Sequence, residues 1–247
     1  MSFFESELTE LDALLAKNTL RALDVSNVET AAAGARAGLI LAGESALELG
    51  APDVSSAFVT LYGNADKGDA VQITGNTLKA CLGRHVPFAL SVCLYGPEIS
   101  AETFHQFMLR FQRLADMPGW MVKRDKTRVW IRVGRTNDPD AVLTRFCATL
   151  IARIHEAFAC VRGVHITAVI DAPEAVQALA EKSDLWQQKL IALKAGVWKE
   201  RGFDYKSCQL SGHCGACADK KTCASVRKIE ARVKVHRREQ PDAQSIE

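Results

Sequence analysis

Four cysteines fall within sixteen residues late in the chain, Cys208, Cys214, Cys217 and Cys223, in a C-x5-C-x2-C-x5-C pattern. Four thiolates from one short loop can converge on a small metal centre, because the C-x2-C pair brackets a tight turn and the loop's glycines let backbone amides approach sulfur. Structural zinc sites usually bring two C-x2-C knuckles together, whereas this loop has one, flanked by two five-residue gaps. That wider spread suits the four iron corners of a cubane. The leading expectation is therefore a [4Fe-4S] cluster held by all four cysteines, with zinc, or no metal, as the alternatives. Lys220, Lys221, Arg227 and Lys228 favour thiolates and offset the negative charge of a cluster. His213 could ligate or donate a hydrogen bond; with four cysteines at hand, a solvent-side histidine is the simpler reading.

The other four of the eight cysteines, Cys81, Cys93, Cys147 and Cys160, lie scattered through apolar segments, and Cys93 and Cys147 read as small core residues without chemistry. Met1 to Glu10 has three Glu and no Lys or Arg, so no secretory signal is expected, and no apolar stretch approaches the roughly 20 residues that cross a bilayer. A cytoplasmic protein with thiols rather than disulfides is expected, making no use of a membrane. The net charge of +2 gives no global field that would argue for nucleic acid. Two local basic groups stand out. Arg124, Asp125, Arg128, Arg132 and Arg135 surround a central turn, where they could bind a phosphate-bearing cofactor or a partner protein, or form a solvated strand face. Residues 219–239 hold eight Lys or Arg against three Asp or Glu, a helix suited to an acidic partner; nucleic acid is not expected there, because no aromatics are interleaved. Nucleotide-binding glycine motifs, H-E-x-x-H and G-x-S-x-G are all missing from the sequence.

These residues need a scaffold. Leu8, Leu11, Leu14 and Leu15 predict a helix from Phe3 to about Leu23, and Asn27 is a candidate cap for a second helix running through an alanine-rich stretch to Leu47. Glu48 to Pro52 reads as a stop, and Ala57–Tyr62 and Ala70–Thr74 as a hairpin or two neighbouring strands. Val86 to Tyr95 alternates as a strand. Ser100 then caps a helix striped by Phe104, Phe107, Met108, Phe111 and Leu114. Two strands, Trp120–Lys123 and Arg128–Val133, flank an Arg124–Thr127 turn; a helix follows from Asn137-Asp138-Pro139, then a strand over Val164–Ile170. Residues 86–170 thus spell β-α-β-β-α-β, the order of a ferredoxin-like core in an α+β fold, which the earlier β-runs could extend. A helical stretch from Pro173 to about Lys199 leads to the cysteine-rich tail. The expected organisation is N-terminal helices over 1–47, an α/β domain over 48–200, and a cluster-binding segment with a basic helix over 201–247.

Glu48-Leu49-Gly50, Val86-Pro87-Phe88-Ala89-Leu90, the helix from Glu102 to Leu114, Arg124-Asp125 before Val129-Trp130-Ile131-Arg132-Val133, and Tyr205-Lys206-Ser207-Cys208 occur in an order that resembles the acetyl-CoA synthase (β) subunit of carbon monoxide dehydrogenase/acetyl-CoA synthase complexes. The resemblance covers roughly residues 46 to 223: that family's middle α/β domain and the start of its cluster-binding region. It implies a [4Fe-4S] cubane with Cys208 as first ligand. In the family the cubane is bridged to a two-nickel unit where a methyl group from a corrinoid protein, CO and CoA become acetyl-CoA. Here the family's second cysteine falls near Leu210 or Ser211, and Cys214-Gly215-Ala216-Cys217 is not the Cys-Gly-Cys that holds the distal nickel. Nickel is therefore not expected on this chain. The function expected is an iron-sulfur subunit serving electron transfer or active-site assembly in a larger anaerobic enzyme complex, whose other members could include a corrinoid or redox protein. The alternatives are a catalytic subunit for CO, methyl or acyl transfer to CoA, and a zinc-stapled interaction module.

Overall fold

A computed structural model describes residues 4–32, 34–35 and 38–200. The chain divides into one unit over Met1–Lys194 and a second over Ala195–Glu247, of which the described part is the last residues of a long helix. The architecture of the first unit is mixed α/β, with two mixed sheets.

The elements run α1 (Glu5–Leu15), β1 (Arg21–Ala22), β2 (Ser45–Leu49), β3 (Ser56–Gly63), β4 (Ala70–Gly75), β5 (His85–Val86), β6 (Phe88–Tyr95), α2 (Ala101–Ala115), β7 (Trp120–Asp125), β8 (Arg128–Gly134), α3 (Pro139–Ala157), β9 (Gly163–Ile170) and α4 (Pro173–Glu200). The first sheet has the order β1-β4-β9-β6-β3 and the second β5-β2-β8-β7. Local signals set the helix starts. Ser100 accepts from the Thr103 N–H at 3.0 Å to begin α2, and Asp138 accepts from the Ala141 N–H at 3.1 Å to begin α3, with Pro139 in the first helical position where it displaces no bonded N–H. Burial of α2's aromatic stripe follows from its spacing: Phe104, Phe107 and Phe111 are wholly buried, Phe104 against Tyr62 and Phe111 against Phe58 of β3, with ring centroids 4.9 and 4.5 Å apart, and Phe107 against Phe158 at 6.1 Å. Trp120 of β7 stacks on Phe146 of α3 at 4.6 Å. On the opposite face of β3, Leu8 of α1 and the Tyr95 ring of β6 both close over Gly63, leaving no room for a Cβ there.

Several expectations are corrected. The first helix stops at Leu15, and the described residues between Leu23 and Leu41 contain no helix. Alanine favours a helix there, but Gly34, at φ 78°, and Gly38 interrupt it, and the backbone is taken up by α3: Thr149 Oγ1 accepts from the Ala31 N–H at 3.0 Å and Arg153 donates to the Ala35 carbonyl at 2.7 Å. Residues 45–49, divided in the sequence reading between a helix and a stop, are strand β2. Strands β3 and β4 do not pair with each other; they flank the β6–β9 pair on either side. The loop from Asn64 to Asp69 must cross three inter-strand steps of about 4.8 Å, well within the reach of six residues. The β-α-β-β-α-β order is present as β6-α2-β7-β8-α3-β9, but its strands are divided between the sheets. The physical reason is β3, which pairs in parallel with the whole of β6, from Ser56–Phe88 to Gly63–Tyr95, and so occupies that edge, while β8 pairs with β2 and β7.

Candidate functional site

Where β2 gives way to β3, both strands reach the same edge of β8. Leu49 pairs with Ile131, the chain turns at Gly50 (φ 62°), and Ser56 takes over. A Cβ at Gly50 would run into the Val129 carbonyl and Ser56 Oγ, so only glycine lets the strands meet this closely. Ser56 Oγ donates to the Val129 carbonyl and accepts from the Val129 N–H at 3.0 Å, and the Phe58 N–H donates to the Thr127 carbonyl at 2.7 Å. Beside this junction lies a cleft of about 620 Å³, with Ala51, Pro52, Val54 and Trp130 among its apolar walls and Lys123, Arg124, Asp125 and Arg128 as its charged groups.

The basic group of the sequence therefore splits in two. Arg132 and Arg135 are committed internally: Arg132 Nε donates to Glu48 at 2.9 Å and its Nη1 to the Ile40 carbonyl at 2.9 Å, while Arg135 donates to the Gly43 carbonyl at 2.7 Å. Arg124, Asp125 and Arg128 line the cleft together with Lys123. Arg124 and Asp125 were expected in the turn; they belong to β7, paired with Val129 and Arg128, and the turn is Lys126-Thr127 alone. Arg124 Nη2 donates to the Met108 carbonyl at 3.0 Å and its guanidinium faces the Phe58 and Phe111 rings at 5.3 and 5.8 Å. Burial lowers its pKa, and the neighbouring Asp125 charge pulls the other way. Among the described residues, Lys123, Arg124 and Arg128 form no ion pair.

One residue that holds the wall in place escaped the sequence reading. Glu48 is buried, and its carboxylate holds both Arg132 and the indole N–H of Trp130, the latter at 2.7 Å. Trp130 is thereby fixed with the Arg132 guanidinium 4.5 Å and the Lys123 ammonium 5.1 Å from its ring centroid. A lone Glu between Leu47 and Leu49 was the available signal.

The four expected cluster ligands, Cys208, Cys214, Cys217 and Cys223, lie outside the described residues. Cys81, Cys93 and Cys147 are buried free thiols and Cys160 is half-buried. Burial pushes the Cys93 and Cys147 thiols up to about 12 and raises Cys81, the last also through the charge of Asp171. Among the described residues no group of His, Cys, Asp and Glu is placed to hold a metal ion, and no helix is long and apolar enough to cross a membrane. No protein-family model matches the chain, and no curated protein matches it.

Proposed function

We propose that this chain is an iron-sulfur subunit related to acetyl-CoA synthase, carrying one [4Fe-4S] cluster on Cys208, Cys214, Cys217 and Cys223. The observation that carries the reading is the C-x5-C-x2-C-x5-C spacing within a basic segment. Cys93 and Cys147 are left out of the ligand set, because metal ligation needs thiolates and burial raises the pKa of both thiols. In this reading residues 86–170 are a ferredoxin-like core opened by the insertion of β3, and residues 48–200 are the mount that docks the cluster onto a larger anaerobic, cytoplasmic enzyme complex. There it serves electron transfer or active-site assembly. Anaerobic purification of the full chain tests the proposal: about four iron and four acid-labile sulfides per chain are expected, with loss of both in a Cys214→Ser variant. One zinc and no sulfide would overturn it in favour of a zinc-stapled interaction module.

A further inference from the structure

The cleft between the residue 50–56 loop and the β7–β8 hairpin is lined, among the described residues, by more cations than carboxylates. Arg124 is a half-buried cation with no carboxylate bonded to it among the described residues, and its Nη1, shut off from water, has no hydrogen-bond partner there. Its Nη2 meets the Met108 carbonyl and its plane faces the Phe58 and Phe111 rings, but these partners carry no net charge, and an anion beside the guanidinium offsets the cost of its partial desolvation. Lys123 and Arg128, exposed at the rim, add to the same field, and among the described lining residues only Asp125 opposes it. Beside the uncharged polar Ser56 and Gln112, the rest of the wall is mainly apolar: Ala51, Pro52, Val54 and the ring of Trp130, whose indole N–H is held by Glu48. A cleft of about 620 Å³ lies in the range of small-molecule sites, roughly 300–1,000 Å³.

We infer that this cleft binds a carboxylate carried on an apolar body, the carboxylate near Arg124 and Arg128 and the apolar part against Pro52, Val54 and Trp130. Two features favour a single negative charge over a phosphate. One cation sits at depth while the other two are on the rim, and the Asp125 carboxylate lines the same space, so a second charge on the ligand meets repulsion. The ligand can be a free acid or an acidic side chain flanked by apolar residues in a partner protein; the binding chemistry is the same.

The test uses the full chain at low ionic strength, with tryptophan emission as the readout and a Trp130→Phe variant to assign the signal. Hexanoate and the capped peptide acetyl-Leu-Glu-Leu-amide serve as the two carboxylate sources, with hexanamide and inorganic phosphate as controls. Saturable quenching by either carboxylate is expected, weakened about tenfold in a Lys123→Gln/Arg128→Gln variant, whose exposed positions leave folding intact, and weakened again by added salt. Tighter binding of the peptide assigns the site to a partner segment, and tighter binding of hexanoate assigns it to a free acid. Equal binding of hexanamide, binding of phosphate alone, or an unchanged double variant overturns the inference. These outcomes are independent of the iron content, so the cleft and the cluster stand or fall separately.

Discussion

Glu48 and Trp130, from strands that are not neighbours in sequence, meet through a 2.7 Å hydrogen bond from the indole N–H to a carboxylate that is almost wholly buried. The second oxygen of Glu48 receives Arg132 Nε at 2.9 Å, so one carboxylate both neutralises an inward cation and sets the angle of the ring that walls the cleft. Replacing Glu48 by Ala leaves two donors without their acceptor. A loss of about 3–5 kcal/mol is expected from urea unfolding, the range for breaking a buried pair from one side. Glu48→Gln keeps an acceptor and loses less. A loss below about 1 kcal/mol in Glu48→Ala would put this pair in the class of solvated surface bridges.

The hairpin that carries Arg124 turns through Lys126, a non-glycine residue at φ 44°. A side chain in that region crowds its own backbone at a cost of roughly 1–2 kcal/mol, and Thr127 cannot relax the turn because it is held by the Phe58 N–H on its carbonyl and by Asp184 on its hydroxyl, the latter at 2.6 Å. Lys126→Gly is therefore expected to raise the melting temperature by a few degrees, since about 1 kcal/mol corresponds to roughly 2–4 °C in a chain of this size. The added freedom of glycine in the unfolded chain reduces the gain, and Lys126→Asn, which tolerates the same backbone, avoids that loss. Melting temperatures lowered in both variants would show that the turn carries no strain.

The elements legible in the sequence are those whose information is local. Ser100 and Asp138 announce their helices because a cap acts over three residues, and the α2 stripe fixes its own buried face. What was not legible depends on distant partners. The alanine-rich run near Ala31 reads as helix until Thr149 and Arg153, more than a hundred residues on, take its backbone groups. Glu48 looks like an interruption until Trp130 and Arg132 are placed opposite it. Two of the four arginines that the sequence groups together, Arg124 and Arg128, do line one cleft. Nothing local distinguishes Arg132, which shares their strand pair but spends its charge on Glu48.

Thiol reactivity should separate the body from the cysteine-rich segment. Cys81, Cys93 and Cys147 are shut off from solvent, and burial holds their thiols protonated at neutral pH, so a thiol-directed disulfide reagent should leave all three unmodified in the native protein and modify them on unfolding in guanidinium. Peptide mapping after labelling reads this directly. Native-state modification of Cys93 would mean that the central strand β6 opens locally, contrary to its complete burial between β3 and β9.

Acid sensitivity should centre on Asp171, which links the end of β9 to the chain entering β5. Burial alone would raise its carboxyl pKa, but hydrogen bonds from Asn76 at 2.8 Å and Arg84 at 2.9 Å, with the Arg84 charge, outweigh this and hold it below the ordinary value of 3.8. A group whose pKa is lower in the folded state than in the unfolded chain contributes stability above the unfolded value and loses that contribution as pH falls through the folded one. The contribution of Asp171 is thus complete at neutral pH and should disappear as pH falls below about 4. Glu7, held down by Lys189 despite its own burial, adds a decline of the same sign. Asp171→Asn should therefore be less stable than the native chain at pH 7, and the difference should narrow as pH falls from about 4 towards 2, with the Glu7 decline persisting in both. Stability curves from urea unfolding at a series of pH values check this; parallel curves for the two proteins would show that the Arg84 pairing does not govern the charge of Asp171.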